Sequence, residues 1–522
     1  MATRLTPLSK LLITLGIVGG IFFGARYLIN NTTIGESIKE KAETASQEKT
    51  KNKSNTKDEN TLRVQLVTWG GYAPGLYFNE GYKANTQSRF YKDYGFKVEF
   101  VVENDLIAAL NAWMADEYDV LVQTADAFPL YTAAEDINQY RPKAFMQVDW
   151  SRGGDAIIVK RGINTANDLK GKRIAVAVPS PAQTLLVSTL EAAGLSHKDV
   201  TLVKTDDNLK AAELFRSSEI DAAVVWSPDD VLATRDVPGS KILLTTRDQS
   251  HIIADIMFAK DSYIKNNTDK INGFYEGWMR AISEFNNEAN IKKGAKYLAE
   301  LNGLSVDDAM GMIENVYFTG HQDNINFFGL NNDYKGQRGQ DLYEKMSKKF
   351  VDMGDAENLA PSWRSVISTL AIQNAMDKLT GAAYQAEKPK EFKASEMDKT
   401  APAISSKPVS INFETGKFTL TENAKTIIDL QFGDIAKTFA NTKIRIEGNT
   451  DNVGARAMNM ELSRKRAQSV ADYLRTQYKL DPNRFVIVGN GPDKPVPGCE
   501  SNATEECKAK NRRTEFQLIQ GQ

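Results

Sequence analysis

The sequence predicts an open α/β domain followed by a smaller α+β domain, both carried behind one apolar segment. Three observations predict it. Short β-rich runs alternate with helical ones between residues 61 and 384, a second patterned block fills 407 to 522, and a polar, low-complexity stretch precedes each block. A chain of 522 residues is too long for one core, so more than one domain is required. With 41% hydrophobic and 25% charged residues and a net charge of -2, it is neither a disordered nor a multi-span chain. No basic field is present to recruit nucleic acid.

Residues 11–25 (LLITLGIVGGIFFGA) are uninterrupted weakly polar to apolar, and the run reaches Ile29 if Arg26 turns its guanidinium to the interface. That length approaches the roughly 30 Å of a bilayer's hydrocarbon layer. Arg4 and Lys10 precede it, which by the positive-inside rule keeps the N-terminus cytoplasmic and sends the rest outward. Residues 1–30 are therefore expected to be a single transmembrane anchor in the inner membrane. A cleaved signal peptide, releasing a secreted chain, is the alternative; Phe23-Gly24-Ala25 sets a large ring where a small residue belongs. Residues 31–60 are Lys, Glu, Asn, Ser and Thr with almost no large apolar side chain and read as a flexible tether, averaging about 30 Å as a coil.

In the 61–384 domain, 62–68 (LRVQLVT), 96–102, 118–123, 173–178, 200–203 and 220–226 read as strands, and 106–114, 184–193 and 211–217 as helices. Ligands of such sheets sit beyond the carboxyl ends of the strands. There stand Trp69-Gly70-Gly71-Tyr72-Ala73-Pro74, Pro179-Ser180-Pro181-Ala182-Gln183-Thr184 and Trp226-Ser227-Pro228-Asp229, with Ser180 placed to cap the helix that starts near Ala182. The order of W-G-G-Y-x-P, D-L-K-G-K-R-I-A-V, P-S-P-A-Q-T and F-R-S-S-E-I-D-A-A-V-V-W-S-P resembles the periplasmic solute-binding proteins of the nitrate, taurine and alkanesulfonate type, which serve ABC transporters and are related to thiamine-precursor binders. The resemblance implies a two-lobed periplasmic-binding-protein-like fold closing on a small polar solute, with Trp69, Gly70, Asp126, Ser180, Gln183, Trp226 and Asp255 lining the pocket. It also implies an inner-membrane partner, an ABC transporter or another complex. Residues 149–155 (DWSRGGD) either face the cleft or form a lobe-crossing hinge. Several carboxylates there would disfavour a purely anionic ligand and favour a zwitterion or an amine.

Residues 385–406 carry prolines and charges and are expected to be a second linker. Beyond it, 409–413, 443–448, 485–489 and 514–519 read as strands, and 421–440 and 460–478 as helices. Gly448-Asn449-Thr450-Asp451-Asn452-Val453-Gly454, then Asn459-Met460-Glu461-Leu462-Ser463-Arg464-Lys465-Arg466-Ala467, then Asn511-Arg512-Arg513-Thr514-Glu515 follow in order. This T-D-N-x-G, N-x-x-L-S-x-x-R-A and N-R-R-x-E series resembles the OmpA-like, MotB-like peptidoglycan-binding domain across 407–522. The resemblance implies that Asp451 takes the ammonium and Arg466 the carboxylate of the diaminopimelate stem peptide, with Thr450, Asn459, Leu462 and Arg513 shaping the pocket. On the residues alone, Asp451 could instead hold its own turn and Arg466 pair with Glu461 or Asp472 on the helix face. Cys499 and Cys507 are close enough in sequence to close a small disulfide loop, which export favours.

His197, His251 and His321 fall in unrelated segments, and no nucleophile, metal or nucleotide motif occurs, so no cofactor is expected and binding is expected rather than catalysis. Two other readings remain. One is an enzyme on the same scaffold, like the thiamine-precursor synthases, starting from His251 and Asp255. The other is a structural envelope spacer whose cleft is vestigial.

Overall fold

The computed structural model describes residues 58–519 other than 179, 206, 218, 412 and 415. The expected transmembrane anchor and nearly all of the first tether lie outside the described residues. Among the described residues no helix is long and apolar enough to cross a membrane.

From Leu62 onward the chain forms one compact unit built on three sheets. The first lobe opens with β1 (Thr61–Leu66), helix α1 (Ala73–Phe78), β2 (Lys97–Val102), β3 (Val120–Thr124) and the ten-residue β4 (Pro142–Ser151). The chain then crosses to the second lobe, with β5 (Asp155–Val159), β6 (Arg173–Ala177), helix α2 (Pro181–Ala192), β7 (Thr201–Thr205), β8 (Ala222–Trp226) and β9 (Lys241–Thr245). It returns as β10 (Ala254–Lys260), followed by helix α3 (Thr268–Glu284), β11 (Val316–Phe318) and helix α4 (Gly339–Asp352). The first-lobe sheet has the order β11-β4-β10-β3-β1-β2 and the second β7-β6-β8-β5-β9.

The open α/β sheet that alternation alone implies is thus divided between two mixed sheets, one in each lobe. β10 runs antiparallel to both β3 and β4, and β5 antiparallel to β8 and β9. Strands β4 and β10 are buried almost throughout, so they lack the period-two signal of a half-exposed strand. They carry the chain between lobes. Each lobe has its own core: aromatic-rich in the first, where Phe90, Phe100, Phe145, Phe274 and Trp278 interlock, and aliphatic in the second.

The C-terminal domain comprises β12 (Ala403–Val409), helix α5 (Glu422–Ile428), a π-helical turn, helix α6 (Asp434–Thr438), β13 (Lys443–Asn449), the long helix α7 (Arg456–Tyr478), β14 (Phe485–Gly491), helix α8 (Glu505–Asn511) and β15 (Thr514–Ile519). Its sheet order is β12-β15-β13-β14. Two expectations are corrected here. The first strand lies earlier than 409–413, ending at Val409, and it occupies the sheet edge, where Pro408 costs little of the hydrogen-bond ladder. The expected linker 385–406 is anchored rather than free at several points. Its last residues are strand, Asp398 is buried against Lys443 at 2.6 Å, and Phe392 is buried. The Cys499–Cys507 disulfide forms.

Candidate functional site

The two lobes are joined by two crossings, Arg152–Gly154 between β4 and β5 and Thr246–Ile253 between β9 and β10. Ser151 Oγ and Thr246 Oγ1, 3.0 Å apart, tie the crossings together, and the Gly153 amide donates to Thr246 Oγ1 at 2.8 Å. The 149–155 stretch therefore forms one strand of a two-strand hinge between the lobes.

Four buried carboxylates surround this hinge. Asp149 and Asp255 are direct cross-strand neighbours on β4 and β10. Asp155 opens β5 and accepts from Ser151 Oγ at 2.7 Å, and Asp126 lies just past β3, accepting from Thr184 Oγ1 of α2 at 2.6 Å across the lobes. Trp69 Nε1 donates to Asp149 at 3.1 Å and the Tyr72 hydroxyl to Asp255 at 2.6 Å. Gly71 makes this approach possible: a Cβ there would stand 1.6 Å from Asp149 Oδ2.

Burial pushes every one of these acids upward. Asp126 rises to about 7 and Asp155 to about 6, each chiefly by desolvation. Asp149 and Asp255 are both raised by burial, and Asp149 further by the charge of Asp255, so the pair retains a proton near neutrality. Among the described residues none of the four is paired with a Lys or Arg, and no group of three His, Cys, Asp or Glu is arranged to hold a metal.

The other expected pocket residues are distributed around this centre. Ser180 caps α2, accepting from the Ala182 amide at 3.2 Å and donating to Ala177 O at 3.0 Å. Gln183 donates to Asp355 at 2.5 Å, and its Oε1 is buried without a partner. Gly70 is packed so closely on Met312 and Ile313 that a Cβ would meet Met312 O at 2.5 Å, a packing position rather than an open wall. Trp226, opposite Asp155 in the β5–β8 pairing, is 45% exposed. Asp149, Asp155 and Tyr72 complete the group. In the sequence the two acids fall within a stretch that either faces the cleft or hinges, and no local signal gives Tyr72 a role. The His251–Asp255 pair that would have started an enzyme is not formed: His251 lies 3.3 Å from Glu387, which also holds Arg152, while Asp255 turns to Tyr72.

In the C-terminal domain, α7 lies directly on β13 and β14. A Cβ on Gly448 would come 2.2 Å from Ser463 O, so glycine lets the helix approach the strand that leads into the 449–454 loop. Asn459, Leu462 and Arg466, at i, i+3 and i+7, share one face of α7. The Asn459 amide donates to Val453 O at 3.0 Å, holding the loop, and Thr450 Oγ1 donates to the Asp451 carbonyl at 2.7 Å. Asp451 accepts from the Val453 amide at 3.1 Å and from Arg512 Nη1 at 2.7 Å. Arg466 donates to Lys417 O and Glu414 O at 3.0 and 3.3 Å, above the Phe413 ring. Burial lowers its pKa, the Asp451 carboxylate raises it, and Arg512 lowers it, so the three charges lie within electrostatic reach of one another. Arg466 pairs with neither Glu461, which is held by Arg464 and Lys465, nor Asp472. Of the adjacent arginines, Arg512 is the one on Asp451; Arg513 turns to Glu515 and Lys494 O, both at 3.1 Å.

Comparison with known proteins matches residues 412–512 to the OmpA family and residues 81–288 to a family described as NMT1/THI5 like. The chain thus carries an NMT1/THI5-like domain and, after it, an OmpA domain. The OmpA domain is similar to outer membrane protein A of Bordetella avium, at 37% identity over 107 residues, 20% of this chain and 53% of the relative. It is also similar to outer membrane porin F of Pseudomonas aeruginosa, at 36% over 110 residues, 21% and 30% respectively. The chain thus spans about half or less of the length of these relatives. Among solved structures, the periplasmic aliphatic sulphonate binding protein SsuA of Escherichia coli aligns over 65% of this chain and 97% of that one, at 18% identity and a TM-score of 0.46.

Proposed function

We propose that this is a cell-envelope protein whose OmpA domain holds peptidoglycan non-covalently while its two-lobed domain binds a small polar solute in the periplasm. The observation that carries the reading is the grouping of Asp451, Arg466 and Arg512 at one loop-and-helix surface of an OmpA-family domain. An acid and a guanidinium within reach of each other match an amino acid's ammonium and carboxylate, as at the side-chain end of diaminopimelate, with Thr450 and Asn459 holding the loop and Leu462 on the helix face that carries Arg466. The domain limits we assign are 61–384 and, moved up from 407 to take in the whole edge strand, 403–522, with 1–30 as an inner-membrane anchor and 31–60 as its tether. Co-sedimentation with purified sacculi tests the wall reading. Wild type should pellet and Asp451→Ala and Arg466→Ala should stay in solution; equal pelleting of all three refutes it.

For the solute, four buried carboxylates without a protein cation favour a protonated amine, alone or in a zwitterion, flanked by Trp69, Tyr72 and Trp226. Binding is favoured over turnover because His251 is committed to Glu387 and Arg152. Thermal shift of the full chain against small amines and matched carboxylates tests this: amines should raise Tm in wild type and not in Asp255→Asn. A rise with carboxylates alone rejects the cation.

A further inference from the structure

A half-open cavity of about 450 Å³ lies on the other side of the hinge strand, lined by the solute-binding domain, residues 386–392 and the OmpA domain. That volume is within the range of small-molecule sites. Asp149 and Trp150 are neighbours on β4 and so face opposite sides of the sheet; Trp150 lines this cavity.

Its least ordinary wall group is Arg484. The side chain is 2% exposed, and its Nε and Nη2 donate to Thr442 O and Phe439 O at 2.9 and 2.7 Å. Those carbonyls satisfy two groups of the guanidinium but leave its charge uncancelled, and no carboxylate pairs with it among the described residues. Arginine does not escape by losing its proton. A buried, unpaired charge is costly, so a counter-charge in the cavity would lower the free energy of the bound form. Lys390 adds positive charge to the same wall. Of the four wall acids, Glu387 is ion-paired with Arg152 and His251, Asp323 and Asp481 accept backbone amides that leave their charge in place, and Asp333 is exposed; against these four stand six wall cations, Arg484 and Lys390 with Lys335, Lys388, Lys437 and Lys479.

A second, independent observation points to a ligand. Gln147 and Gln337, 0% and 3% exposed, both line the cavity, and each has a buried Oε1 with no partner. A native interior leaves few such groups, and each needs a partner, either an ordered water or a ligand. An acceptor left open asks for a donor.

We propose that this cavity is a ligand site for a small organic anion that also carries a hydrogen-bond donor, seated between the two domains. The anion meets Arg484 and Lys390, its donor meets the glutamine oxygens, and Trp150 and Tyr334 flank its apolar part.

Calorimetric titration of the full-length protein with 4-hydroxybenzoate and its neutral amide, 4-hydroxybenzamide, tests the site. The acid should bind and the amide should not, and Arg484→Gln and Lys390→Gln should each weaken the acid by about tenfold or more, a loss of about 1.4 kcal/mol. Lys390 is exposed on the rim, so its substitution keeps the test decisive if Arg484→Gln does not fold. Asp255→Asn, in the hinge cleft, should leave the affinity unchanged, which separates this site from the solute site. Absence of binding by the acid, equal binding of acid and amide, affinity unmoved by both cation substitutions, or loss confined to Asp255→Asn would each overturn the proposal.

Discussion

Replacing Asp126 by Asn should stabilise the solute-binding domain at alkaline pH and leave it nearly unchanged in acid. Burial holds the folded carboxyl near about 7, against the ordinary aspartate range near 4. Between those values the folded state keeps a proton that the unfolded state has released, so stability falls as pH rises, by about 1.4 kcal/mol per pH unit. Over the whole window this is on the order of 4 kcal/mol, fully present as a penalty above about pH 7 and absent below about pH 4. Asparagine removes the titration while keeping an acceptor for Thr184 Oγ1, and the second carboxyl oxygen, which it replaces, has no partner to lose. All 6 tryptophans lie in the solute-binding domain, so urea unfolding followed by tryptophan emission reads this domain alone. Measured at pH 5 and pH 8, the gap between variant and wild type should widen with pH by a few kcal/mol. Parallel pH profiles would show that Asp126 ionises freely and that the desolvation argument fails.

Other outcomes follow from the same geometry. Arg512→Ala should release the protein from sacculi more than Arg513→Ala does, because only the former faces Asp451; the reverse order in co-sedimentation would misassign the pair. Gly71→Ala should lower the thermal midpoint by the equivalent of about 1 to 3 kcal/mol through overpacking on Asp149, and an unchanged midpoint would count against the tight hinge. Reduction of Cys499–Cys507 should cost the OmpA domain about 2 to 3 kcal/mol for a loop of 8 residues' separation, read by circular dichroism melts with and without reductant. Glu387 is held near about 2 because its Arg152 and His251 hydrogen bonds outweigh the upward push of burial. Its contribution is present above the ordinary glutamate range and lost as pH falls toward 2, so Glu387→Gln should flatten the acid limb of the unfolding profile.

Much of the OmpA domain was legible because its signals are local. The T-D-N-x-G loop, the helix face carrying Asn459, Leu462 and Arg466, and the short β15 run are contiguous words in the sequence. Choosing between Arg512 and Arg513 was not legible, because it depends on where α8 ends, at Asn511, relative to the start of β15. In the solute-binding domain the outer strands showed their alternation, whereas β4 and β10 are buried on both faces and crossed by a bulge near Asp255. That concealed the strand pair on which the hinge acids Asp149 and Asp255 meet. The cluster is a product of long-range pairing, 106 positions apart in the chain, and no window of local sequence contains it.

The Arg152, His251 and Glu387 contact has a mechanical meaning. Arg152 stands in one crossing between the lobes, His251 in the other, and Glu387 at the start of the segment leading to the OmpA domain. Any rotation of one lobe against the other therefore strains the stem of the OmpA domain. If that domain is clamped to a rigid lattice, the work of opening or closing includes straining this joint, so a wall-held molecule and a free one have different gating energies for the same guest.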